Sequence, residues 1–289
     1  MADRLNAIEA RIESIGQLSS VIGAMRGIAA TRLHEAAGRL DAIRTYAGAV
    51  GAGIAQALAL LPGSAPSLAD GMARARTVIA FGSEHGFVGA FNTRIFDAAM
   101  PLLELAPGGR ASLVVVGGRG LAAARERGPE PDWSTPMAAH IDETATLANR
   151  LSDNLFDLLP DSPGCELLVV HAVPAEGKGA QAVVTRRLLP FDYSRFPQAS
   201  RSEPPLIELP PSQLLARLVD EHVFAELCEA SVMSFAAENE ARMLAMAAAK
   251  TNVAQKHDEL VAEARRLRQE QITEEVVELA AGSRARLAG

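Results

Sequence analysis

The sequence predicts an α/β protein in which two long terminal helices wind around each other and a small layer of strands and helices is inserted between them in chain order. Three observations predict it. In the first ~55 residues, Ile8, Ile12, Ile15, Ser19, Ile22, Arg26, Ala29, Leu33, Ala36, Leu40, Ile43, Ala47, Val50 and Ile54 alternate spacings of four and three, and only Ser19 and Arg26 are polar. Near the C-terminus, Met243, Met246, Lys250, Val253, His257, Leu260, Ala264, Leu267 and Gln271 keep the same alternation. Between them the period changes to short continuous apolar runs, Thr77–Phe81, Leu113–Val116 and Leu167–Val170, whose length and β-branching suit buried parallel strands.

The first helix opens near Asp3 and is expected to stop at Leu61-Pro62-Gly63. Gly16, Gly23, Gly27 and Gly38 lie inside it, each costing roughly 1 kcal/mol relative to Ala, so the helix depends on tertiary support. For Gly23 and Gly27 the plain reading is close approach of another backbone; a hinge or a contact that needs a bare surface is the alternative. No carboxylate stands between Glu13 and Glu35, while Arg26 and Arg32 do. This bias reads either as a solvated face or as a match for an acidic loop on a partner. Tyr46–Leu61 is apolar but Gly-rich, interrupted by Gln56 and short of the ~18–20 residues of a membrane span, so it is expected to be the buried end of the helix.

Residues 62–75 read as a Pro/Gly/Ser loop. Helices are expected at about Asn92–Leu105, Leu121–Arg127 and Thr144–Leu159, alternating with the three strands. A last strand, about Ala180–Leu189, hairpins back across Glu176-Gly177-Lys178-Gly179. Residues 191–211 form an extended, Pro-rich connection ending at Pro210-Pro211, with Ser212 expected as N-cap of the long C-terminal helix. The chain thus divides into 1–61, 62–190, 191–211 and 212–289. At ~1.5 Å per residue the C-terminal helix is on the order of 110 Å long and the N-terminal one about 80 Å. Its last turns carry Ile272, Val276, Val277, Leu279 and Ala280 among Glu270, Glu274, Glu275 and Glu278, an apolar tip that calls for a greasy socket.

Composition excludes several classes. The 289 residues carry a net charge of -7, which argues against a nucleic-acid partner. Aromatics at 4% with abundant Ala fit closely packed long helices. Cys165 and Cys228 are far apart and form no metal spacing, which favours a reducing compartment. The start, MADRLNAIEARIE, does not have the form of a signal peptide or transit sequence; membrane association is therefore expected through a partner. Gly82, Gly86 and Gly89 are spaced GxxxGxxG, not GxGxxG, and no P-loop Lys follows. Together with Gly117, Gly118 and Gly120 they read as tight turns, so no cofactor and no metal is expected. No HExxH or GxSxG occurs, and Glu84 beside His85 is weak ground for an acid–base pair.

The stretches RIESIGQLSSVIGAMRGIAATRLHEA, GSEHGFVGAFNTRIF and ENEARMLAMAAAKTNVAQKHDELVAEARRLRQEQITEEVVELAAGSRA resemble the gamma subunit of the F-type ATP synthase, over nearly the whole chain and in the same order. The resemblance implies an antiparallel coiled coil of the terminal helices inside a ring of alpha and beta subunits, and a Rossmann-like α/β domain without a cofactor near the epsilon subunit and the c-ring. It implies a rotor without catalytic residues of its own, peripheral on the cytoplasmic face of a bacterial inner membrane, coupling proton or sodium flow to ATP chemistry on beta. By position, it implies contacts with the alpha/beta ring at Met25, Arg26, Arg242, Gln269, Thr273 and Glu275. Gly23 stands where the family usually has Lys, Gly27 replaces a larger apolar residue, and Val88 replaces a common Cys. These departures leave a divergent second F-type complex as an alternative. A non-enzymatic coiled-coil tether and a nucleotide-dependent enzyme with helical extensions are the readings from other classes.

Overall fold

The computed structural model describes residues 2–61, 75–106, 111–128, 130–158, 165–175, 181–196 and 206–287. Of the loop expected at 62–75, residues 62–74 lie outside the described residues, as does the turn Glu176–Gly179, and Ala75 already belongs to a strand. The chain forms two compact units: Met1–Ile28 with Met243–Gly289, and Ala29–Arg242. Two helices, α1 (Ala2–Ala59) and α5 (Pro211–Leu287), contribute to both.

In the first unit the heptad seam is carried by Ile8, Leu260, Ala264 and Leu267, which are buried together and bordered by Leu5, Ile12 and Ile15. Two exposed ion pairs flank this cluster, Arg4–Glu263 at 3.2 Å and Arg268–Glu9 at 2.5 Å. Exposed pairs of this kind are worth at most about 1 kcal/mol. The apolar seam therefore holds the two segments together, and the charges fix its register.

The second unit is built on a five-stranded sheet in the order β3-β2-β1-β4-β5. Its strands are β1 (Ala75–Phe81), β2 (Ala111–Val116), β3 (Trp133–Thr135), β4 (Cys165–Val173) and β5 (Ala182–Leu189). The first four are mutually parallel and β5 runs antiparallel to β4. Successive residues of the apolar runs face opposite ways. Ile79, Phe81, Val114, Val116, Leu167 and Val169 join a core with Leu147, Leu151 and Leu155 of α4 (Thr144–Leu158) and with Leu227 and Phe235 of α5. Val78, Ala80, Leu113, Val115, Leu168 and Val170 join another with Phe91, Ile95 and Phe96 of α2 (Phe91–Glu104) and Ala124 of α3 (Gly118–Arg127). Burial on both faces is why these strands read as unbroken apolar runs.

Within this unit α1 and α5 pack antiparallel. Val50, Ile54 and Leu58 meet Leu215, Leu218 and Val219. Arg44, earlier in α1, pairs at 3.1 Å with Glu229, later in α5, and Ala36 shares a core with Val232 and Ala236, later again.

Several expectations change. Strand β3 was not anticipated, because three residues between Asp132 and Pro136 carry no periodicity. Helix α3 begins at Gly118, not Leu121, because Gly117 at φ 99° turns the chain directly off β2. Helix α5 begins at Pro211, so Ser212 is not its N-cap; the fixed φ of Pro suits the first helical position. The connection is not extended throughout: Tyr193–Arg195 form a 3-10 turn, with Asp192 accepting from the Ser194 amide at 3.0 Å and hydroxyl at 2.6 Å. Among the described residues no helix is long and apolar enough to cross a membrane.

Candidate functional site

Five of the six expected contact residues belong to the first unit. Helix α1 holds Met25 half-buried and Arg26 exposed; α5 holds Gln269, Thr273 and Glu275, all exposed. Thr273 donates its hydroxyl to the Gln269 carbonyl at 2.8 Å, and Glu275 accepts from Gln271 at 3.0 Å. These bonds stay on one helix: Thr273 lies one turn after Gln269, and Glu275 follows two residues later on another side of the helix. Around them Ile272, Val276, Val277 and Leu279 are each more than half exposed. A single helix with such a surface lacks the tertiary burial that normally sustains helices in water. Gly23 and Gly27 do not mark close approach of another backbone of this chain, since a Cβ at either would meet nothing within 4 Å.

Arg242 sits differently. It belongs to the second unit, is buried, and forms an ion pair with Glu238 one turn earlier. The same guanidinium donates to Asn239 Oδ1 at 3.2 Å and to the Gly86 carbonyl at 3.4 Å. Glu238 in turn accepts the backbone N–H groups of Glu84 at 3.0 Å and His85 at 3.3 Å. Glu84 accepts N–H groups from Gly118 at 3.0 Å and Met137 at 2.8 Å. Ser83 and Asn92 close the turn with bonds of 2.8 and 2.9 Å. The turn ends in Phe87, a non-glycine residue at φ 61° that is 67% exposed.

The packing around this network explains Gly82 and Gly120 of the two glycine clusters. A Cβ on Gly82 would lie 2.5 Å from the Gly120 Cα, and one on Gly120 would lie 2.7 Å from the Gly82 Cα. Gly82 and Gly120 are where two backbones cross. The N-terminus of α3, the kind of place that binds phosphate in nucleotide-binding α/β proteins, holds the carboxylate of Glu84. Glu84 thus serves as a structural acceptor joining the turn to α3 and to Met137.

A second buried polar cluster joins β5, the 3-10 turn and α5. Glu226 accepts from Arg186 at 2.9 Å and Arg195 at 2.8 Å, with His222 at 3.4 Å; Glu229 accepts from Arg186 at 2.8 Å. Burial alone would raise the Glu226 carboxyl, but the approach of His222 and the bonds from Arg195 and Arg186 hold it well below the usual carboxylate range. His222 presents its ring edge-on to Phe191 and Phe196, which stack with centroids 5.5 Å apart. Among the described residues no group of His, Cys, Asp or Glu is placed to hold a metal ion.

Sequence reasoning missed Glu238, Asn92 and Phe87. The i,i+4 spacing of Glu238 and Arg242 was a usable signal; the pairing of either with residues more than 150 positions away was not.

The family described as ATP synthase matches residues 4–285. The ATP synthase gamma chain of Mycolicibacterium smegmatis is 30% identical over 314 residues, covering 100% of this chain and 99% of that one. That of Solibacter usitatus is 29% identical, covering 96% and 97%. Among solved structures, a chain of the Euglena gracilis mitochondrial ATP synthase (OSCP/F1/c-ring) matches with TM-score 0.69 at 13% identity, covering 100% of this chain and 96% of that one. A central stalk/c-ring chain from Tetrahymena thermophila matches with TM-score 0.56 at 19% identity, covering 79% and 99%. With two long terminal helices, an inserted parallel sheet and likeness to gamma chains over almost its full length, the chain belongs to the ATP synthase gamma-chain family.

Proposed function

We propose that the chain is the central-stalk rotor of an F-type ATP synthase, coupling proton or sodium flow through a membrane c-ring to ATP synthesis or hydrolysis on an alpha/beta ring. It does so without catalytic residues of its own, and its partners are alpha, beta, epsilon and the c-ring. Full-length likeness to gamma chains carries the reading, and the exposed apolar end of α5 supports it. Ile272, Val276, Val277 and Leu279, interleaved with Gln269, Thr273 and Glu275, present the surface that a socket in the ring would cover. The chain acts as a peripheral subunit, on the cytoplasmic face of a bacterial inner membrane. A division of labour into a coiled-coil helix at 1–61, an α/β domain at 62–190, a connection at 191–211 and a second coiled-coil helix from 212 follows from this role.

The mechanism is differential contact. Met25 and Arg26 on one helix and Gln269, Thr273 and Glu275 on the other touch each beta subunit differently as the shaft turns, favouring a closed nucleotide site at one angle and an open one at another. Moving a site from 1:99 to 99:1 takes about 5.5 kcal/mol of differential binding, an amount that several apolar contacts and one or two charge pairs supply. A Cβ at Gly23 would meet nothing of this chain within 4 Å, and this open space beside Met25 suits a divergent second complex with a looser grip.

A tagged pull-down in mild detergent tests the reading: alpha, beta, epsilon and c subunits with ATPase activity are expected, and the chain alone would overturn it. Met25→Lys, which adds a cation beside acidic groups of beta, is expected to preserve assembly but lower ion pumping per ATP in inverted vesicles.

A further inference from the structure

We infer that Arg242 and Glu238 serve coupling as positioning residues that lock the Ser83–Val88 turn to α5, and that Arg242 does not act by touching the alpha/beta ring. This rests on the rotor reading above. The geometry points to it from both ends of the network. The Arg242 guanidinium is buried and divided among three acceptors of its own chain: Glu238, Asn239 Oδ1 and the Gly86 carbonyl. A planar fork that bonds several acceptors at once cannot be copied by a Lys ammonium.

Glu238, also buried, spends its two oxygens on the N–H groups of Glu84 and His85 as well as on Arg242. Three consecutive residues of the turn, Glu84, His85 and Gly86, are therefore held from α5. From the other side the turn is held by Glu84 on the Gly118 and Met137 amides and by Asn92 on Ser83. What the doubly anchored turn presents outward is Phe87, exposed and at positive φ. A non-glycine residue there persists only when its surroundings over-determine it. Removing either partner of a buried hydrogen-bonded pair leaves the other unsatisfied, so the loss of Arg242 is felt at Gly86 directly and at residues 84–85 through Glu238.

The test has two arms. In the full-length isolated chain, with no partner present, amide exchange at Glu84 and His85 is compared for Arg242→Gln, Arg242→Lys and Glu238→Gln. Both neutral variants are expected to speed exchange about tenfold or more, with Arg242→Lys intermediate. In the assembled complex, ion pumping per ATP is expected to fall for Arg242→Gln and Glu238→Gln alike, and the double variant is expected to be no worse than the worse single one, because both act through one turn. Loss of pumping in Arg242→Gln with turn exchange unchanged, or additive losses in the double variant, would overturn the inference in favour of direct contact. Faster exchange with pumping intact would overturn it too. Failure of the rotor reading is distinct: the unmodified chain would then support no pumping, whereas failure of this inference leaves the unmodified chain active.

Discussion

The two compact units of the chain use their apolar residues in opposite ways. In Met1–Ile28 with Met243–Gly289, Ile8, Leu260, Ala264 and Leu267 form a narrow seam, while Leu18, Val21, Ile28, Leu244, Ile272, Val276, Val277 and Leu279 stand exposed. In Ala29–Arg242 the strands are buried on both faces, and buried charges such as Glu226, Glu238 and Arg242 are bonded within the unit. The difference teaches which surfaces are finished. The second unit carries its own core; the first is a seam whose remaining apolar side chains are left uncovered by this chain.

The largest expected effect breaks the comparison at its stronger side. Phe96 is fully buried among Phe91, Ile95 and the inner residues of the sheet. Phe96→Ala is expected to cost about 3–5 kcal/mol. The single tryptophan, Trp133, lies in β3 and reports on the second unit alone, so its fluorescence during urea unfolding measures this. A loss below about 1 kcal/mol, the size of a surface change, would mean that this unit is not the tightly packed partner in the comparison.

The next effect probes the seam. Leu267 is 3% exposed, but a two-helix seam has room to collapse around a gap. Leu267→Ala is expected to cost about 2 kcal/mol, the low end for a buried leucine. Amide exchange in 5–15 and 260–267 should quicken while the Trp133 transition stays in place. A matching shift at Trp133 would show one cooperative unit and erase the distinction.

These two sites also mark what could be read from the sequence. The seams were legible because a heptad alternation survives substitution of individual side chains, and β1, β2 and β4 were legible because two-sided burial demands unbroken apolar runs. The two-faced core was therefore visible in the residues themselves. The latch was not. Gly82 and Gly120 are required by a backbone crossing, with a Cβ on either within 2.7 Å of the other's Cα, and nothing local in GSEHGF or GGRG announces a partner so far along the chain. The same blindness misread Gly23 and Gly27 as close approaches, since a glycine that meets a backbone and one that meets open space look alike in a string. Arg242 was singled out by position only; its bonds to Glu238, Asn239 and Gly86 belong to the fold.

A smaller effect should appear in the second unit as a pH slope. His171 in β4 is completely buried, with Nδ1 3.2 Å from the Ala172 carbonyl and Nε2 without a hydrogen-bond partner. Burial lowers its pKa, Arg186 adds to this, and the Ala172 bond with Glu229 and Glu226 opposes it. The folded-state pKa thus lies below the unfolded value near 6.5. The neutral ring's contribution is complete above that value and is lost as pH falls below it, because the unfolded chain takes up the proton first. His171→Leu is expected to flatten the fall of the urea midpoint between pH 7.5 and 5.5, and to leave exchange in 260–267 untouched. An unchanged slope would place the titration elsewhere.

The smallest effect sharpens the comparison most, because one kind of substitution should change sign between the units. Within α1, Gly23→Ala introduces a Cβ that meets nothing within 4 Å. Removing a mid-helix glycine then stabilises by about 0.5–1 kcal/mol, visible as slower exchange in 15–28 of the isolated chain. At Gly120 the same added Cβ would strike the backbone of Gly82 at 2.7 Å and must destabilise. If Gly23→Ala stabilises the free chain yet lowers pumping per ATP in the complex, the open space beside Met25 is occupied there by a partner, and the glycine is kept for that contact at a cost to the helix. If it stabilises and pumping is unchanged, the open space at Gly23 is idle, and the glycine is not kept for a partner.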